Sequence, residues 1–561
     1  MTFPKAAVPM LIVLKKTDSS PFRAESALPD TLIKTPVVLK DYKEVVCEID
    51  FEYIQDRVLQ FPVLEAKYSR IIGHGAKVLW SYLPVEGTLN LDVPAGAPVV
   101  GKEYLDCFDF PTGKFEYYGT GLTNFKVRHE CGLRIGRYGN QLRLSRVNEK
   151  PEDLATKDIS NSKFGVIDLT RANFMVDPKL EWRLMFRDAW RMQKEFYWRP
   201  DLNGTDWDQV YSRYLPVIEK VNCRREFSDV IWELVGELGT SHAYERGGDY
   251  RSAPLYSVGS LGAELNWNED EGAYQIQKIY QGDVWSKDAA SPLKSPGLGI
   301  ATKDLVTEIA GFKLSEALTP AEATLNSGGQ DVWIKFKSVG EFTEREALVR
   351  LLKNDQPLLY RSWVEEKRKR VKKLSAGKLG YIHIPNMMGL GFAEFHRNFM
   401  QEIGCEGLVI DVRYNGGGHV SQLILDRLAR KPIGKSVSRW FGEQSVPYET
   451  PRKVVVALCN EFAGSDGDIF SHTFKLRKIG KLVGTRTWGG VVGIWPRNNM
   501  IDGGYTTQPE FSTWFQDVEY GLENHGAEPD VVVEYPPEAW RKGEDPQLHA
   551  AVTEAMKNLS C

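Results

Sequence analysis

Several patterns are missing from this chain of 561 residues. It has no HExxH motif and no CxxC pair, and its seven cysteines are scattered and odd in number, which argues against a zinc site or a disulfide framework. No apolar run is long enough to cross a bilayer. A net charge of −4 provides no general attraction to nucleic acid or anionic lipid. We therefore expect a cytoplasmic protein with reduced thiols, no metal or organic cofactor, and no nucleic-acid or membrane partner.

Two segments allow a second interpretation. The apolar run at residues 6–14 follows Lys5, as in a signal peptide, but its flank lacks a small-residue cleavage pattern, and a β-strand is favoured. The basic run at residues 365–373 is compatible with a nucleic-acid patch. Because no aromatic residues are interleaved with it, a solvated helix or linker is favoured.

The length exceeds what one hydrophobic core supports, so we expect three or four domains. Residues 1–172 alternate short apolar strands with glycine-rich turns, which is typical of a sandwich or of propeller blades. Over residues 178–250 the apolar period becomes helical, with an apolar stripe that starts at Leu180 and a last helix that stops near Gly239.

The second half of the chain mixes strands and helices. Residues 253–340 contain a glycine-rich turn followed by the pattern D-x-V-x-x-I-x-G from Asp304, which resembles a peptide-binding PDZ domain, with a generic α/β insert as the alternative. Over residues 345–561, strands alternate with helices. This predicts an α/β domain with a mainly parallel sheet, with strands near 379–384, 407–412 and 453–458 and helices near 392–402, 419–430 and 465–477.

Ser465 is the first candidate for catalysis. It lies at a turn between a buried-looking strand and a helix, and the sequence around it differs from the G-x-S-x-G nucleophile elbow at Ala463. Such a turn exposes the hydroxyl at the positive end of the helix dipole. A serine before an aspartate is also an ordinary helix N-cap, so this segment alone leaves both interpretations open.

Three further segments carry groups suited to acyl transfer. The glycines at residues 416–418 follow a strand and free backbone N–H groups for an oxyanion, although a structural turn is equally compatible. A phosphate cradle is disfavoured because these glycines are not followed by G-K-[ST] at the Walker spacing. Ser241 and His242 follow a helix end, where a histidine is often structural, and Glu523 lies in a polar loop before a strand.

Taken together, these segments resemble the tricorn protease family, within the superfamily of tail-specific peptidases. The resemblance covers residues 178–561, and more weakly residues 1–172 resemble the end of the family's second β-propeller. It implies a multidomain fold with a partial propeller, a helical subdomain, a PDZ-like domain and an α/β peptidase domain of the crotonase-like type. The resemblance is carried by residues 239–245, 412–418, 465–470, 486–493 and 523–526.

The resemblance implies a catalytic machinery for an oligopeptidase. Ser465 is the implied nucleophile and His242 the base, oriented by Ser241 and Glu523. The backbone N–H groups of Gly418 and Asp466 form the implied oxyanion hole. The implied substrates are short peptides left by the proteasome or another protease. The implied assembly is a homohexamer, with aminopeptidases as further partners.

Two features distinguish the chain from relatives, and two alternatives remain. C-terminal processing peptidases use a lysine base in a G-K-G context, but Gly489-Gly490-Val491 stands there, so a histidine base is required. The stretch at 430–435 lacks the acid by which the family favours basic P1 residues. The alternatives are an inactive fragment or peptide-binding scaffold, and an α/β-hydrolase-type esterase, for which His549 is the only late histidine suited to the role.

Overall fold

The computed structural model of the chain describes residues 7–18, 20–22, 47–83, 103–138, 141–147, 165–167, 169, 172–250, 253–283, 289–495 and 498–559. The chain divides into two compact units, Met1–Pro178 and Lys179–Cys561.

The first unit consists of antiparallel β-structure. Its strands are β1 (Met10–Ile12), β2 (Val58–Gln60), β3 (Lys67–His74), β4 (Lys77–Leu83), β5 (Glu103–Asp109), β6 (Lys114–Leu122), β7 (Asn124–Arg128), β8 (Leu133–Tyr138), β9 (Gln141–Arg146) and β10 (Val166–Ile167). Strands β3 to β6 form one four-stranded meander and β7 to β10 a second, while β1 pairs with β2. Successive four-stranded antiparallel sheets are the building unit of propeller blades, which confirms the all-β prediction for this part.

Apolar side chains on both faces of the first meander form two buried clusters. Trp80 and Phe108 are buried in one cluster, and Leu105 and Tyr118 in another. Part of the apolar run predicted as a strand at residues 6–14 forms β1, and Ala6 lies outside the described residues. The predicted turn at residues 136–140 is described except for its last two residues.

The second unit begins with three helices, α1 (Pro178–Phe196), α2 (Trp207–Ile218) and α3 (Arg224–Gly236). Asp206 caps α2, because its side chain accepts the Gln209 N–H at 3.0 Å. The predicted apolar stripes form the core of this helical layer, except that Leu180 in the first turn of α1 is exposed. Helix α3 ends three residues before Gly239, whose φ of +59° turns the chain out of the helix.

An antiparallel sheet follows the helices. Its elements are β12 (Ala263–Asn268), β13 (Ala273–Ile279), β14 (Leu305–Ile309), β15 (Phe312–Lys313), α4 (Pro320–Ala323), β16 (Asp331–Lys337) and β17 (Arg345–Arg350), after the short strand β11 (Glu245–Arg246). The sheet order is β12-β13-β14-β16-β17, with β15 beside β14. Because β17 pairs with β16, this PDZ-like sheet extends past residue 340, at which we predicted the segment to end.

The last part of the chain is an α/β domain around a parallel sheet of order β18-β19-β22-β23-β27. Helices α6, α7 and α8 cover one face, and α5 and α10 cover the other. The elements are α5 (Gln356–Leu374), β18 (Leu379–His383), α6 (Gly389–Glu402), β19 (Gly407–Asp411), α7 (Ser421–Leu428), β20 (Gly434–Ser438), β21 (Gly442–Val446), β22 (Val454–Cys459), α8 (Asp466–Leu476), β23 (Lys481–Gly484), β24 (Gly493–Ile494), β25 (Tyr505–Thr506), β26 (Pro509–Phe511), β27 (Val531–Val532), α9 (Pro537–Arg541) and α10 (Pro546–Leu559).

The parallel sheet confirms the prediction of an α/β domain. Both faces are covered by helices, so its strands are buried continuously instead of alternating, as in β18 and β19. The loops that follow the carboxyl ends of β19 and β22 meet at one edge of the sheet. These loops carry the glycines at 416–418 and Ser465, and the sheet therefore brings the two predicted segments together.

The basic run at residues 365–373 is helical, as predicted, but it is not simply solvated. It lies in α5, where Lys367 pairs with Asp545 at 2.7 Å and Arg368 with Glu402 at 3.1 Å. Both basic side chains are only about one-eighth exposed, and both carboxylates are buried. The prediction of a solvated face is wrong here because the buried carboxylates need charged partners.

Candidate active site

Ser465 stands at the sharp turn between β22 and α8. Its φ of 58° and ψ of −122° lie outside the regions that most side chains adopt, and it is half-buried. The turn is held by hydrogen bonds from the N–H of Ala463 to Asn460 O at 2.9 Å and from the N–H of Gly464 to Asn415 O at 3.0 Å. A serine in this strained conformation at a helix N-terminus has the geometry of a nucleophile elbow.

The glycine loop lies directly against Ser465. A Cβ at Gly417 would stand 2.5 Å from the Ser465 Cβ, so no other residue fits there without a shift. Asn415 holds the loop, because its Oδ1 accepts the Gly417 N–H at 2.9 Å and its Nδ2 donates to Ile384 O at 2.8 Å. A Cβ at Gly418 would collide with Met387 O, and its φ of +147° also requires glycine.

Two backbone donors at this point are available for a ligand. Within the residues that the structure describes, the N–H groups of Gly418 and Asp466 donate to no protein acceptor. The Asp466 carboxylate is engaged elsewhere, since it accepts from the N–H and hydroxyl of Ser421 at 2.9 and 2.5 Å. Burial raises the pKa of Asp466, and these hydrogen bonds oppose the shift. The two free N–H groups are suited to stabilising an oxyanion.

His242 is held by a chain of polar groups. Its Nδ1 lies 2.9 Å from Ser241 Oγ, and that hydroxyl donates to Glu523 Oε2 at 3.1 Å. Since the Ser241 proton points to Glu523, Nδ1 must donate to Ser241 Oγ, which leaves Nε2 as the basic nitrogen. Burial lowers the pKa of His242, while the charge of Glu523 opposes this shift. The imidazole is therefore neutral near pH 7 and able to accept a proton.

Glu523 is surrounded by hydrogen-bond donors. Besides the Ser241 hydroxyl, its carboxylate accepts from Thr240 Oγ1 at 3.1 Å and from the N–H of Ser241 at 2.7 Å. The N–H groups of Val491 and Val492 donate to Oε2 at 2.7 and 3.0 Å. A carboxylate with this many donors is fixed in place and orients the groups attached to it.

Trp488 joins the base to the nucleophile turn. Its ring packs edge-on against His242 with centroids 5.4 Å apart. Its backbone N–H donates to Ala463 O at 3.0 Å. Its ring also lies so close to Gly464 that a Cβ there would stand 2.7 Å from Cε3. Trp488 thus contacts both His242 and the two residues before Ser465, while within the described residues no direct hydrogen bond joins His242 to Ser465. Catalytic hydrogen bonds are often long until substrate binds.

The remaining expectations concern metals, specificity and His549. No group of three or more potential ligand side chains among the described residues could hold a metal ion. At residues 430–446, the exposed β20–β21 hairpin carries Glu443, which is paired with Lys435 at 2.7 Å.

His549 is exposed on α10, which packs on the sheet face opposite α8. Among the described helices, none combines the length and apolar character of a membrane span.

Sequence reasoning assigned no role to Asp468, Trp488 or Asn415. Asp468 and Trp488 belong to segments that carry the family resemblance, and Asn415 precedes the glycines. A carboxylate in the first helical turn after the nucleophile is a local signal for Asp468. The positions of Trp488 and Asn415 have no such signal, because their contacts join loops that are distant in sequence.

Three family models match consecutive parts of the chain. The tricorn protease C1 domain matches residues 178–236, the tricorn protease PDZ domain residues 259–354, and peptidase family S41 residues 378–533. These matches follow the same order as the helical layer, the PDZ-like sheet and the α/β domain. The chain belongs to the tricorn protease family.

Individual relatives are similar to this chain in sequence or structure over nearly its whole length. The tricorn protease homolog 1 of Streptomyces coelicolor is 36% identical over 100% of this chain and 52% of its own length. The tricorn protease homolog of Saccharolobus solfataricus is 40% identical over 91% of this chain and 46% of its own. A crystal structure of the tricorn protease matches with a TM-score of 0.87 and 31% identity, over 100% of this chain and 52% of that one. This chain thus spans about half the length of these relatives.

Proposed function

We propose that this chain is a serine peptidase that hydrolyses peptide bonds in short oligopeptides. The observation that carries the proposal is the hydrogen-bonded chain from Glu523 through Ser241 to His242, beside the strained turn of Ser465. Such an arrangement supplies a nucleophile, a base and an orienting carboxylate. It differs from a plain triad because the carboxylate acts through a hydroxyl.

The proposed reaction has two stages. Ser465 Oγ attacks the peptide carbonyl while His242 Nε2 takes its proton, and the same nitrogen then protonates the leaving amine. The N–H groups of Gly418 and Asp466 stabilise the negative oxygen of the tetrahedral intermediate. Water repeats the sequence on the acyl-enzyme and releases the acid product. Throughout, Glu523 stabilises the imidazolium through Ser241.

Substrate class, assembly and location are further parts of the proposal. The PDZ-like sheet and the relatives' names support peptides as substrates, here short products of the proteasome or another protease. We infer a homo-oligomer, a hexamer by family resemblance, with aminopeptidases acting on its products. The six described cysteines are unpaired, which supports a reducing, cytoplasmic location.

The test is hydrolysis of a mixed library of short peptides by the purified chain, together with labelling by a fluorophosphonate probe. We expect cleavage and labelling by the parent chain, and loss of both in Ser465→Ala and His242→Ala with folding intact. The cleaved bonds would reveal the P1 preference. A parent chain that neither labels nor cleaves would overturn the proposal in favour of a peptide-binding scaffold. Activity that survives Ser465→Ala would indicate a different nucleophile.

An esterase is distinguished by comparing His242→Ala with His549→Ala. An α/β-hydrolase-type mechanism would use His549 as the base, so His549→Ala would abolish activity and His242→Ala would not. The exposed position of His549 on α10 disfavours this outcome.

A further inference from the structure

Asp468 is a buried carboxylate that the proposed mechanism does not use. It lies in the first turn of α8, three residues after Ser465, and its side chain is fully buried. Its Oδ1 accepts the Gly489 N–H at 2.7 Å, and its Oδ2 accepts the Gly490 N–H at 3.3 Å. The hydroxyl of Thr487 and the backbone N–H of Ser465 also face this carboxylate and lower its pKa. Both glycine N–H groups are donors, so the ionised carboxylate accepts from each with one oxygen.

Gly489 and Gly490, which donate to Asp468, belong to one short segment, residues 487–492. This segment carries Trp488, whose ring contacts His242, and it ends at Val491 and Val492, whose N–H groups bind Glu523. It therefore contacts the proposed base through Trp488 and the orienting carboxylate through Val491 and Val492. Asp468 attaches the middle of the segment to α8, the helix that follows Ser465.

The segment has little room to adjust on its own. A Cβ at Gly489 would stand 2.6 Å from the Gly526 N, and its φ is +89°. A Cβ at Gly490 would stand 2.2 Å from the Trp488 ring. Because both positions favour glycine, the backbone there packs closely on its neighbours. The Asp468 hydrogen bonds, together with the bond from the Trp488 backbone N–H to Ala463 O, hold it against α8 and the turn before that helix.

We propose that Asp468 is a positioning residue for peptide hydrolysis, holding Ser465 and the segment 487–492 in the register that lets His242 reach the nucleophile. This inference rests on the proposed peptidase function. A bond between α8 and this segment matters because misplacement of a base by about 1 Å can cost about 100-fold in rate. Asp468 itself does not touch the substrate in this account, and it acts through Ser465 and Trp488.

The protonation state of Asp468 changes within an accessible pH range. Burial raises its pKa to about 6, against the opposing hydrogen bonds from Thr487, Gly489, Gly490 and Ser465. The ionisable group that faces it from β22 is Cys459, whose pKa burial raises, so that thiol stays neutral. As the pH falls through about 6, protonation turns one acceptor oxygen into a donor and releases part of the attachment.

The test compares three variants with the parent chain, using a fluorogenic peptide chosen from the cleaved library and the fluorophosphonate probe. Asp468→Asn removes the charge at constant volume. Thr487→Val removes the hydroxyl of segment 487–492 that faces this carboxylate and lowers its pKa. Glu402→Gln is the matched control, because Glu402 is also a buried carboxylate but lies at the end of α6, where it pairs with Arg368 and Lys372. Thermal unfolding of each variant identifies any loss of fold.

We expect Asp468→Asn to lower kcat and the labelling rate of Ser465 by about 10- to 100-fold at unchanged KM. The variant should also lose the part of the acid limb of kcat that titrates near pH 6. Thr487→Val should lower kcat less and move that limb to higher pH, because it removes a hydrogen bond that stabilises the carboxylate. Glu402→Gln should leave kcat and its pH profile unchanged.

A folded Asp468→Asn with parental kcat and an unchanged acid limb would overturn this inference and leave the peptidase proposal standing. The same holds if Glu402→Gln loses as much kcat as Asp468→Asn, since the effect would then reflect stability alone. A parent chain that does not label at Ser465 would overturn the proposed function and, with it, this inference.

Discussion

Several residues of the proposed site have backbone angles that side chains rarely adopt. The φ angles of Ser465, His242, Tyr414 and Asn524 are 58°, 60°, 61° and 59°. Such conformations cost about 1–3 kcal/mol each and persist only where the surroundings determine them. Here the determinants are visible, for example the bond from Asn524 Nδ2 to Gly239 O at 2.7 Å, which holds the turn before Ser241. The strain at Ser465 and His242 lies where the chemistry is proposed.

At the residue scale, Glu523 decides both the orientation and the basicity of His242. We expect Glu523→Gln to lower kcat by about 100-fold or more, because an amide cannot stabilise the imidazolium. Burial already lowers the pKa of His242, and Glu523 is the group that raises it. Activity needs the neutral imidazole and is lost as pH falls through this pKa, so the variant should shift the acid limb of kcat/KM to lower pH.

The control for this prediction is Glu528→Gln, which changes an exposed acid in the same loop. It should leave kcat and the pH profile of kcat/KM as in the parent chain. An acid limb that moved to higher pH in Glu523→Gln would contradict the assigned relation between Glu523 and His242.

At the element scale, two loops at the carboxyl ends of β19 and β22 carry the proposed nucleophile and its proposed oxyanion donors. Their contact is direct, since the Gly464 N–H donates to Asn415 O and Gly417 packs on Ser465. Parallel strands place successive loops at one edge, which explains why segments some fifty residues apart act together. The N-terminus of α8 contributes its free N–H groups to the same point.

This contact makes Gly417 and Gly416 a matched pair for a test. We expect Gly417→Ala to destabilise the fold by about 1–3 kcal/mol, because its Cβ would collide with Ser465 and its φ is +78°. The labelling rate of Ser465 should fall about 100-fold. Gly416→Ala meets nothing within 4 Å and should keep most of both properties. Fluorophosphonate labelling and thermal unfolding measure the two effects, and equal behaviour of the two variants would contradict the assigned packing.

At the scale of the whole molecule, the proposed base and the proposed nucleophile come from different parts of the second unit. His242 follows the helical layer, whereas Ser465 belongs to the α/β domain. Strand β11 pairs with β25, and Gln193 Nε2 donates to Thr507 O at 2.8 Å across the same junction. A buried ionic cluster reinforces it, in which Arg224 binds Glu245 at 2.7 Å and Asp502 at 2.5 Å.

Because this junction sets the distance from His242 to Ser465, we expect its loss to affect activity from afar. Arg224→Met leaves two buried carboxylates without their cation and should cost about 3–5 kcal/mol of unfolding free energy. Peptide cleavage should fall with it, although Arg224 does not take part in the chemistry.

Denaturant unfolding and peptide hydrolysis measure both effects of Arg224→Met. The control is Arg183→Met, which removes an exposed pair with Glu219 and should change stability by no more than about 0.5 kcal/mol. A fully active Arg224→Met would show that the junction does not control the distance between base and nucleophile.

The sequence by itself determined most of the elements and the class of fold. Apolar periods identified the helical structure over residues 178–250 and the three buried strands of the parallel sheet, because these patterns are local. The Ser465 turn was also visible, since strand, turn and helix are consecutive. Leu180, Lys367 and Arg368 were misjudged because a pattern of polarity does not reveal which surface another segment covers.

Only the tertiary structure decided how the separate segments of the proposed site contact one another. The attachment of Asp468 to Gly489, the contact of Trp488 with His242, and the donors around Glu523 all link segments that are distant in the chain. Hydrogen bonds and ring contacts depend on positions within about 1 Å, and these positions follow from the packing of the helical layer against the parallel sheet. Local sequence records the chemical groups, whereas the packing sets the distances between them.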